Sequence, residues 1–339
     1  MTARPGDGRP LVVVLGASGF IGSPLTRALA ARPVRLRLVA RRETPVPAGA
    51  VAVIEVRTAD LAAPGAIAEA VDGADAVFHL VAATEAGWRV TDDDLAAERL
   101  NVGLVRDLAA ALGAGSQGAR RPVVVFPSTT THLGAGPGGA VDPGSVKSPY
   151  VRQKLLAENV LAHAAAEGVL RSVSLCLPTV FGHGPATTAP DRGVVAAMTR
   201  RALAGEPLTV WGDGSVRRDL VYVDDVVEAL LAAHDHADRL SGSYWEIGTG
   251  TGVTLLSLFT GVAEAVAAQT GNPAVPVVTV PPPDHADPAD SQDVVVDPGP
   301  FHAVTGWSAR VELKDALRRT AAALAPAPAP AHWGGAGQV

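Results

Sequence analysis

The first half of the chain is a succession of short apolar runs separated by segments with helical spacing. The first run, LVVVL, carries apolar residues on both faces, as a buried parallel strand requires. Similar runs predict strands, and the segments between some of them predict helices. The predicted strands are at 11–15, 34–40, 51–56, 76–80 and 123–127, and the predicted helices at 25–31, 64–71 and 95–112. Strands that alternate with helices imply right-handed crossovers, so we predict an α/β fold with a doubly wound parallel sheet.

The second half of the chain changes in character and predicts a smaller α/β cap. A glycine- and proline-rich loop leads into a predicted helix at 150–167, and the sheet resumes with a strand at 172–177. An irregular stretch at 185–193 precedes another predicted helix at 194–204. The segment GDGSVRRDLVYVDDV and the C-terminal region complete the cap.

These patterns predict two domains with unequal roles. We expect the doubly wound domain mainly at 11–177 and the cap mainly at 178–322, with some segments returning to the first domain. Residues 1–10 and the low-complexity stretch at 324–339 are expected to be disordered tails.

Three glycines lie between the first predicted strand and the first predicted helix, in the sequence GASGFIG. Gly16 can form the tight turn, Gly19 can let a pyrophosphate approach the backbone, and Gly22 can let the helix lie close to the sheet. Glycine-rich turns are common, but this position at the start of a helix favours phosphate binding by exposed backbone N–H groups. The sequence therefore predicts a Rossmann-type, dinucleotide-binding domain.

Two arginines follow the second predicted strand, at the position where this fold usually has an acidic residue that binds the ribose of NAD. The guanidinium groups of Arg41 and Arg42 are suited to a 2′-phosphate, which an acidic residue would repel. The alternative is that both arginines are simply solvated, and the neighbouring Glu43 weakens the preference. We predict NADP(H) as the cofactor.

A tyrosine and a lysine lie four residues apart on one face of the predicted helix at 150–167. The reference pKa of tyrosine is about 10, and the ammonium group of Lys154 would favour the phenolate of Tyr150. A cluster of hydroxyl residues at 128–131 follows a strand, where such sheets form their sites. Each feature also has a purely structural explanation. The Tyr–Lys pair could belong to an ordinary surface helix, and the hydroxyl residues could merely cap a turn. Together with the glycine motif, the pair predicts acid–base catalysis.

Composition and charge exclude several classes of protein. The net charge of −6 is the opposite of what phosphate backbones attract, so no nucleic-acid partner is expected. The single cysteine, Cys176, excludes an internal disulfide and fits a reducing cytoplasm. No apolar run approaches the length of a membrane span. Asp284, His285 and Asp287 are interpreted as a polar loop, and no metal site is expected.

Several motifs along the chain carry a resemblance to a known family. Over about residues 11–320, the chain resembles the extended short-chain dehydrogenase/reductases of the nucleotide-sugar epimerase/dehydratase family. The motifs are GASGFIG, HLVAA, STTTHLG, YVRQK, LPTVFGHGP, RRDLVYVDDVVEAL and WEIGTG.

The resemblance implies a role for individual residues. In relatives the catalytic Ser or Thr lies five residues before the glycine that ends its motif, which places it at Thr129, with Tyr150 and Lys154 as its partners. The implied cofactor-binding residues are Gly16, Ser18, Gly19, Phe20, Ile21, Gly22, Arg41, Arg42, Asp60, Leu61, Leu80, Ala82, Ala83, Asn101, Tyr150, Lys154 and Pro178. The implied substrate-binding residues are Thr84, Ser128, Thr130, Thr179 and Arg218.

The chain departs from the family pattern at three places. Dehydratases of the family carry Asp–Glu after the catalytic threonine, and Thr130–Thr131 at this position disfavours dehydration because neither residue ionises. Thr179 lies at the position after the later strand where members of the family commonly have an asparagine. Arg218 matches the arginine that binds the diphosphate of a sugar nucleotide, but the segment 281–297 lacks the second arginine of many relatives.

The resemblance extends to the 4-ketoreductases of actinobacterial deoxysugar pathways. It implies NADPH-dependent reduction of a dTDP-4-keto-6-deoxy or 2,6-dideoxy hexose, for sugars that decorate secondary metabolites such as antibiotics. The alternatives are a nucleotide-sugar 4-epimerase that retains NAD, reduction at C3, and a non-catalytic NADP(H)-sensing regulator. The family also implies a homodimer formed through a helix pair that includes the helix at 150–167.

Overall fold

The computed structural model describes residues 8–83, 90–115, 121–130, 141–183, 189–283 and 288–326. In this part of the chain, no helix combines the length and the apolar character needed to cross a bilayer. The strands, in chain order, are β1 (Leu11–Leu15), β2 (Arg35–Ala40), β3 (Val53–Thr58), β4 (Ala76–His79), β5 (Val123–Thr129), β6 (Arg171–Leu177), β7 (Thr179–Phe181), β8 (Leu208–Trp211), β9 (Arg217–Tyr222), β10 (Ser243–Glu246), β11 (Gly252–Thr254) and β12 (Val277–Val280).

The helices cover both faces of the strands and end in short loops. In chain order they are α1 (Gly22–Ala30), α2 (Ala66–Val71), α3 (Leu95–Glu98), α4 (Leu104–Gly115), α5 (Pro149–Ala166), α6 (Val194–Leu203), α7 (Val223–Asp235), α8 (Ala237–Leu240), α9 (Leu255–Thr270), α10 (Gly299–Thr305) and α11 (Leu313–Leu324). A π-helical segment, Arg99–Gly103, joins α3 to α4, and two 3₁₀ segments lie at Pro143–Ser145 and Pro288–Ser291.

Seven parallel strands form the central sheet in the order β10-β6-β5-β4-β1-β2-β3. The chain runs outward from β1 to β3, then returns to β4 on the other side of β1. This arrangement confirms the predicted doubly wound parallel sheet. The direction of winding reverses between β1 and β4, and in such sheets ligands bind outside the carboxyl ends of the strands at this point.

Adjacent residues of the central strands pack into two different cores, one on each face of the sheet. On β4, Phe78 packs with residues of α1 and α7, whereas Val77 packs with residues of α4 and α5. This alternation follows from the two-residue period of a strand. Both faces are covered, which explains why β1 is apolar at every position.

The cap contains two small sheets and a third core. β7, β9 and β11 form one sheet, and β8 pairs with β12 in the other. α6, α9 and α11 pack on these strands, and the ring of Phe181 contacts that of Tyr222 edge-on at 5.8 Å between centroids. The fully buried carboxylate of Asp219 on β9 accepts hydrogen bonds from the backbone of Thr249 and Gly250, which fastens the segment after β10 to the cap.

Two features of the fold differ from the sequence prediction. β10, the seventh strand of the sheet, has four residues and no pattern that separates it from a loop. The helix predicted at 95–112 is divided by the π-helical segment. Both depend on pairing and packing that the local sequence does not specify.

Candidate active site

The predicted pyrophosphate-binding turn lies between β1 and α1, at the point where the sheet reverses. Gly16 has φ +87°, and its N–H donates to Val39 O at 2.8 Å, which joins the turn to β2. A Cβ added to Gly16 would lie 3.2 Å from the backbone of Leu80, so this turn also contacts the end of β4. A Cβ added to Gly22 would lie 2.0 Å from Gly16 O. The turn therefore requires bare backbone, as a phosphate cradle does.

Substituting Gly22 with alanine is expected to lower the free energy of unfolding by about 1–3 kcal/mol, because the new methyl group overlaps backbone that cannot move independently. Binding of a nicotinamide dinucleotide should weaken as the turn is displaced. Thermal unfolding and a cofactor titration test both effects.

The matched control is Gly113→Ala in α4, where the new Cβ would lie 3.4 Å from Val169 Cγ1, an ordinary contact. Alanine is favoured over glycine inside a helix by about 0.5–1 kcal/mol, so this variant should keep or gain stability. Equal stability of the Gly22 variant and the wild type would contradict the close contact.

The predicted adenosine-binding residues follow β2 and β3, next to the glycine turn. Arg41 and Arg42 come directly after the last residue of β2, and both are exposed. Asp60 and Leu61 follow β3; the carboxylate of Asp60 accepts from Ala62 N at 3.0 Å, and Leu61 is buried. The fold thus brings these four residues to the carboxyl ends of neighbouring strands. The remaining predicted residues of the turn are Ser18, Gly19, Phe20 and Ile21, between β1 and α1.

The segment after β4 is linked to α5 through the π-helical segment. Asn101 Oδ1 accepts from Ala83 N at 2.9 Å, and Asn101 Nδ2 donates to Gln153 Oε1 at 2.7 Å. Leu80, Ala82 and Ala83, the predicted wall of the nicotinamide site, therefore connect to the helix that carries the predicted catalytic pair. Gln153 was not identified from sequence, where its position beside Lys154 is the only signal.

Tyr150 and Lys154 lie in the first turns of α5, opposite the end of β5. Helix α5 begins after Ser148, whose hydroxyl accepts from Val151 N, and Pro149 occupies its first position. The side chain of Lys154 is 4% exposed, and its Nζ lies 3.9 Å from the centroid of the Phe126 ring. Thr129 is the last residue of β5, and Thr130 follows it.

Burial governs the protonation of this pair. It raises the pKa of the Tyr150 phenol well above its usual value, and it lowers the pKa of Lys154 to about 8. The sequence suggests that Lys154 lowers the pKa of Tyr150; in the structure the pKa is raised instead, and desolvation of the phenol is the cause. Tyr150 is therefore protonated at neutral pH and suited to donate a proton.

Ser128 lies one residue before Thr129 but does not contact the same groups. Its hydroxyl donates to the Glu158 carboxylate on α5, and both side chains are buried. This hydrogen bond directs the Ser128 hydroxyl toward the interior of the protein. The expectation that Ser128 lines a substrate pocket stays a prediction. Glu158 was not identified from sequence, although it follows Lys154 by one helical turn.

The residues predicted to bind substrate in the cap lie on β7 and β9. Pro178 separates β6 from β7, and Thr179 is paired with Leu220 in the cap sheet. Arg218 is half-buried, and its guanidinium group donates to three backbone carbonyls, those of Arg217, Asp290 and Gln292. Burial lowers the pKa of Arg218, whereas the charges of Asp290 and Asp293 raise it.

Some of the predicted residues cannot be placed. Thr84, Thr131 and Gly134 lie outside the described residues, as do Asp284, His285 and Asp287, for which the sequence predicts a polar loop.

A buried histidine at the end of β4 was also missed. His79 packs against Phe126 with the rings edge-on, and desolvation together with the charge of Lys154 lowers its pKa from 6.5 to about 4. Between pH 6.5 and pH 4, His79 of the unfolded chain is protonated, whereas His79 of the folded protein is neutral. The contribution of His79 to stability is therefore complete above pH 6.5 and falls as the pH decreases toward 4.

We expect this residue to add a slope of up to about 1.4 kcal/mol per pH unit to the free energy of unfolding between pH 6.5 and 4. Urea unfolding of the wild type and of His79→Asn across this range tests the expectation. The variant should show the shallower slope, and parallel curves would contradict a neutral, buried imidazole.

Comparisons with known proteins agree with this geometry. The profile of the NAD dependent epimerase/dehydratase family matches residues 12–248. UDP-glucose 4-epimerase of Mycolicibacterium smegmatis is 31% identical over 254 residues, which cover 73% of this chain and 74% of that protein. dTDP-6-deoxy-L-talose 4-dehydrogenase (NAD(P)(+)) of Kitasatospora kifunensis is 28% identical over 329 residues, 94% of this chain and 96% of that one. The structure of MoeE5 in complex with UDP-glucose and NAD is similar, with a TM-score of 0.71, 28% identity, and coverage of 92% of this chain and 97% of MoeE5.

Proposed function

The chain belongs to the NAD-dependent epimerase/dehydratase family, and we propose that it is an NADPH-dependent reductase of a sugar nucleotide. The substrate we propose is a dTDP-4-keto-6-deoxy or 2,6-dideoxy hexose, reduced at C4. The observation that carries this proposal is a tyrosine one helical turn from a buried lysine, at the carboxyl ends of the central strands.

The residues of the first domain fit a dinucleotide. The turn at Gly16 and Gly22 leaves no room for side chains and offers the N-terminus of α1 to the pyrophosphate. Arg41 and Arg42 would bind the 2′-phosphate, and the wall after β4 would hold the nicotinamide. When bound, NADPH supplies the hydride that is transferred to C4.

The catalytic residues handle the proton of the reaction. The Tyr150 phenol donates its proton to the carbonyl oxygen of the sugar while C4 accepts the hydride, so the ketone becomes an alcohol. Thr129 donates a hydrogen bond to the same oxygen and polarises the carbonyl. The Lys154 ammonium stabilises the tyrosinate left behind, which regains its proton from solvent.

The choice of NADPH over NADH rests on the two arginines after β2. Bidentate guanidinium groups bind phosphate in a geometry that no neutral side chain offers. Among the relatives, the Kitasatospora dehydrogenase is named with both NAD and NADP, and the MoeE5 complex contains NAD. Cofactor choice within the family thus varies, and the residues after β2 support NADPH for this chain.

The substrate and the site of reduction rest on the relative from Kitasatospora. An enzyme named as a 4-dehydrogenase of dTDP-6-deoxy-L-talose removes hydride from C4, and the reverse of that step is the reduction that we propose. The pair Thr130–Thr131 supports reduction over dehydration, because neither residue can act as the second acid or base that loss of water requires.

A nucleotide-sugar 4-epimerase is the second candidate. The Mycolicibacterium relative, named UDP-glucose 4-epimerase, favours it. An epimerase removes and returns the same hydride, so its cofactor stays bound and is not consumed. The same Tyr150 and Lys154 would serve both reactions, and the fate of the cofactor distinguishes them.

The test is incubation of the purified chain with dTDP-4-keto-6-deoxyglucose and NADPH. We expect consumption of one NADPH for each sugar converted, with a single dTDP-6-deoxyhexose as product, identified by mass spectrometry and NMR for the position of the new hydroxyl. Isomerisation of UDP- or dTDP-sugars without cofactor consumption would support the epimerase instead. Absence of both NADPH consumption with keto sugars and isomerisation of UDP- or dTDP-sugars would contradict both candidates.

A further inference from the structure

We propose that Glu158 is a positioning residue that keeps the side chain of Lys154 charged behind Tyr150. This inference rests on the proposed acid–base function of the Tyr150–Lys154 pair. It concerns a buried carboxylate that neither the motifs nor the proposed reaction includes.

Helix α5 places the three side chains on one face. Tyr150, Lys154 and Glu158 follow one another at intervals of four residues, and side chains at this spacing are neighbours on a helix. Lys154 is 4% exposed and Glu158 is 5% exposed. Two oppositely charged groups this deeply buried cost much free energy unless they compensate each other.

Strand β5 holds the carboxylate in place. The Ser128 hydroxyl donates to Glu158 Oε1, and Ser128 precedes Thr129, the predicted catalytic threonine. Glu158 therefore contacts the strand that carries one catalytic residue and lies one turn from another. This arrangement connects the end of β5 to the middle of α5 from the interior side.

Two described groups raise the pKa of Lys154 through their charge: Glu158 has the larger effect and Cys176 on β6 the smaller. On β4, His79 is neutral because its pKa is about 4, and on β6 burial raises the pKa of the Cys176 thiol well above its usual value. Phe126 on β5 presents a ring face, and burial keeps Tyr150 on α5 protonated. Among the described residues that face the amine, the carboxylate of Glu158 remains as its counter-charge.

The opposing effects on Lys154 show what this counter-charge does. Desolvation lowers the pKa of Lys154 to about 8; the charge of Glu158 and, to a smaller extent, that of Cys176 act in the opposite direction. The ammonium form is present below pH 8 and is lost as the pH rises through that value. Without the carboxylate the amine would lose its proton nearer neutral pH, and the tyrosinate would lose the charge that stabilises it.

The composition of the chain makes a direct measurement possible, since it contains three lysines, Lys147, Lys154 and Lys314. Side-chain NMR of the full-length protein, labelled with ¹³C and ¹⁵N in lysine, follows each amine through a pH titration. Lys147→Arg and Lys314→Arg assign the signals. We expect a wild-type midpoint for Lys154 near pH 8 and a fall of about 1 pH unit in Glu158→Gln.

Glu167→Gln is the matched control, because Glu167 ends the same helix and is exposed. It should leave the Lys154 midpoint unchanged. A wild-type midpoint in Glu158→Gln, or an equal fall in the control, would overturn the proposal. If Glu158→Gln does not fold, Glu158→Asp replaces it in the titration. The carboxylate of this variant lies one methylene further from the amine, so the Lys154 midpoint should still fall. An unchanged midpoint would overturn the proposal.

The titration also separates this inference from the proposed function. If the protein is a reductase, the alkaline limb of its kcat/KM profile should move down in Glu158→Gln together with the Lys154 midpoint. A shifted midpoint in a protein that reduces no keto sugar would contradict the proposed function and leave the role of Glu158 intact. An active reductase in which the Lys154 midpoint is unshifted would contradict the role of Glu158 and leave the proposed function intact.

Discussion

Replacement of Tyr150 by phenylalanine is expected to reduce turnover by at least about 10²-fold, the contribution of a positioned general acid. In the proposed reaction the phenol delivers a proton to the carbonyl oxygen, and burial keeps it protonated at neutral pH. The ring itself is retained, so NADPH binding should be kept, with a loss of affinity much smaller than the loss of turnover. Steady-state kinetics with the keto sugar and a fluorescence titration of NADPH measure the two effects.

Tyr244→Phe provides the matched control, since it removes the same hydroxyl from a buried tyrosine on the edge strand β10. Turnover in this variant should stay within about a factor of two of the wild type, as expected for a substitution away from the reacting groups. Full activity in the Tyr150 variant would remove this residue from the mechanism.

Substitution of both Arg41 and Arg42 by alanine is expected to weaken NADPH binding by about 10- to 100-fold, because hydrogen bonds to a charged group contribute about 1.5–3 kcal/mol. NADH lacks the 2′-phosphate, so its dissociation constant should change by less than about 3-fold. Both arginines follow β2 directly, at the side of the sheet where the predicted adenosine site lies. Paired titrations with NADPH and NADH measure the change in preference.

Arg27→Ala, at an exposed position in the last turn of α1, controls for the loss of a surface positive charge in the same domain. It should affect the two cofactors equally and weakly. An equal loss of affinity for NADPH and NADH in the double variant would reject a 2′-phosphate contact.

The architecture of the first domain could be predicted because its signals are local. The run LVVVL is apolar at every position since β1 is covered on both faces, and the glycines after it are required by contacts shorter than a side chain allows. Order along the chain then limits the topology to a few possibilities. β10 was not predicted from the sequence. It pairs with β6, from which the cap segments separate it along the chain, and a strand of four residues at the edge of a sheet needs no distinctive pattern of apolar residues.

The candidate site was predictable only in part for a similar reason. Tyr150 and Lys154 form a short-range motif, but the carboxylate that opposes the desolvation of Lys154 is defined by its burial and by Ser128, which lies 30 positions earlier in the chain. The link from Ala83 through Asn101 to Gln153 likewise spans three separate segments. Composition cannot reveal such contacts, because they exist only after the strands and helices have assembled.

The carbonyl contacts of Arg218 bear on how tightly a sugar nucleotide can be held. Three of the five N–H donors of the Arg218 guanidinium group bind backbone carbonyls, two of which belong to the segment at 290–292. Two donors therefore remain for the phosphate of the proposed substrate, and the carbonyl contacts hold the side chain in one place beforehand. An arginine that is already ordered loses less side-chain entropy when it binds a phosphate.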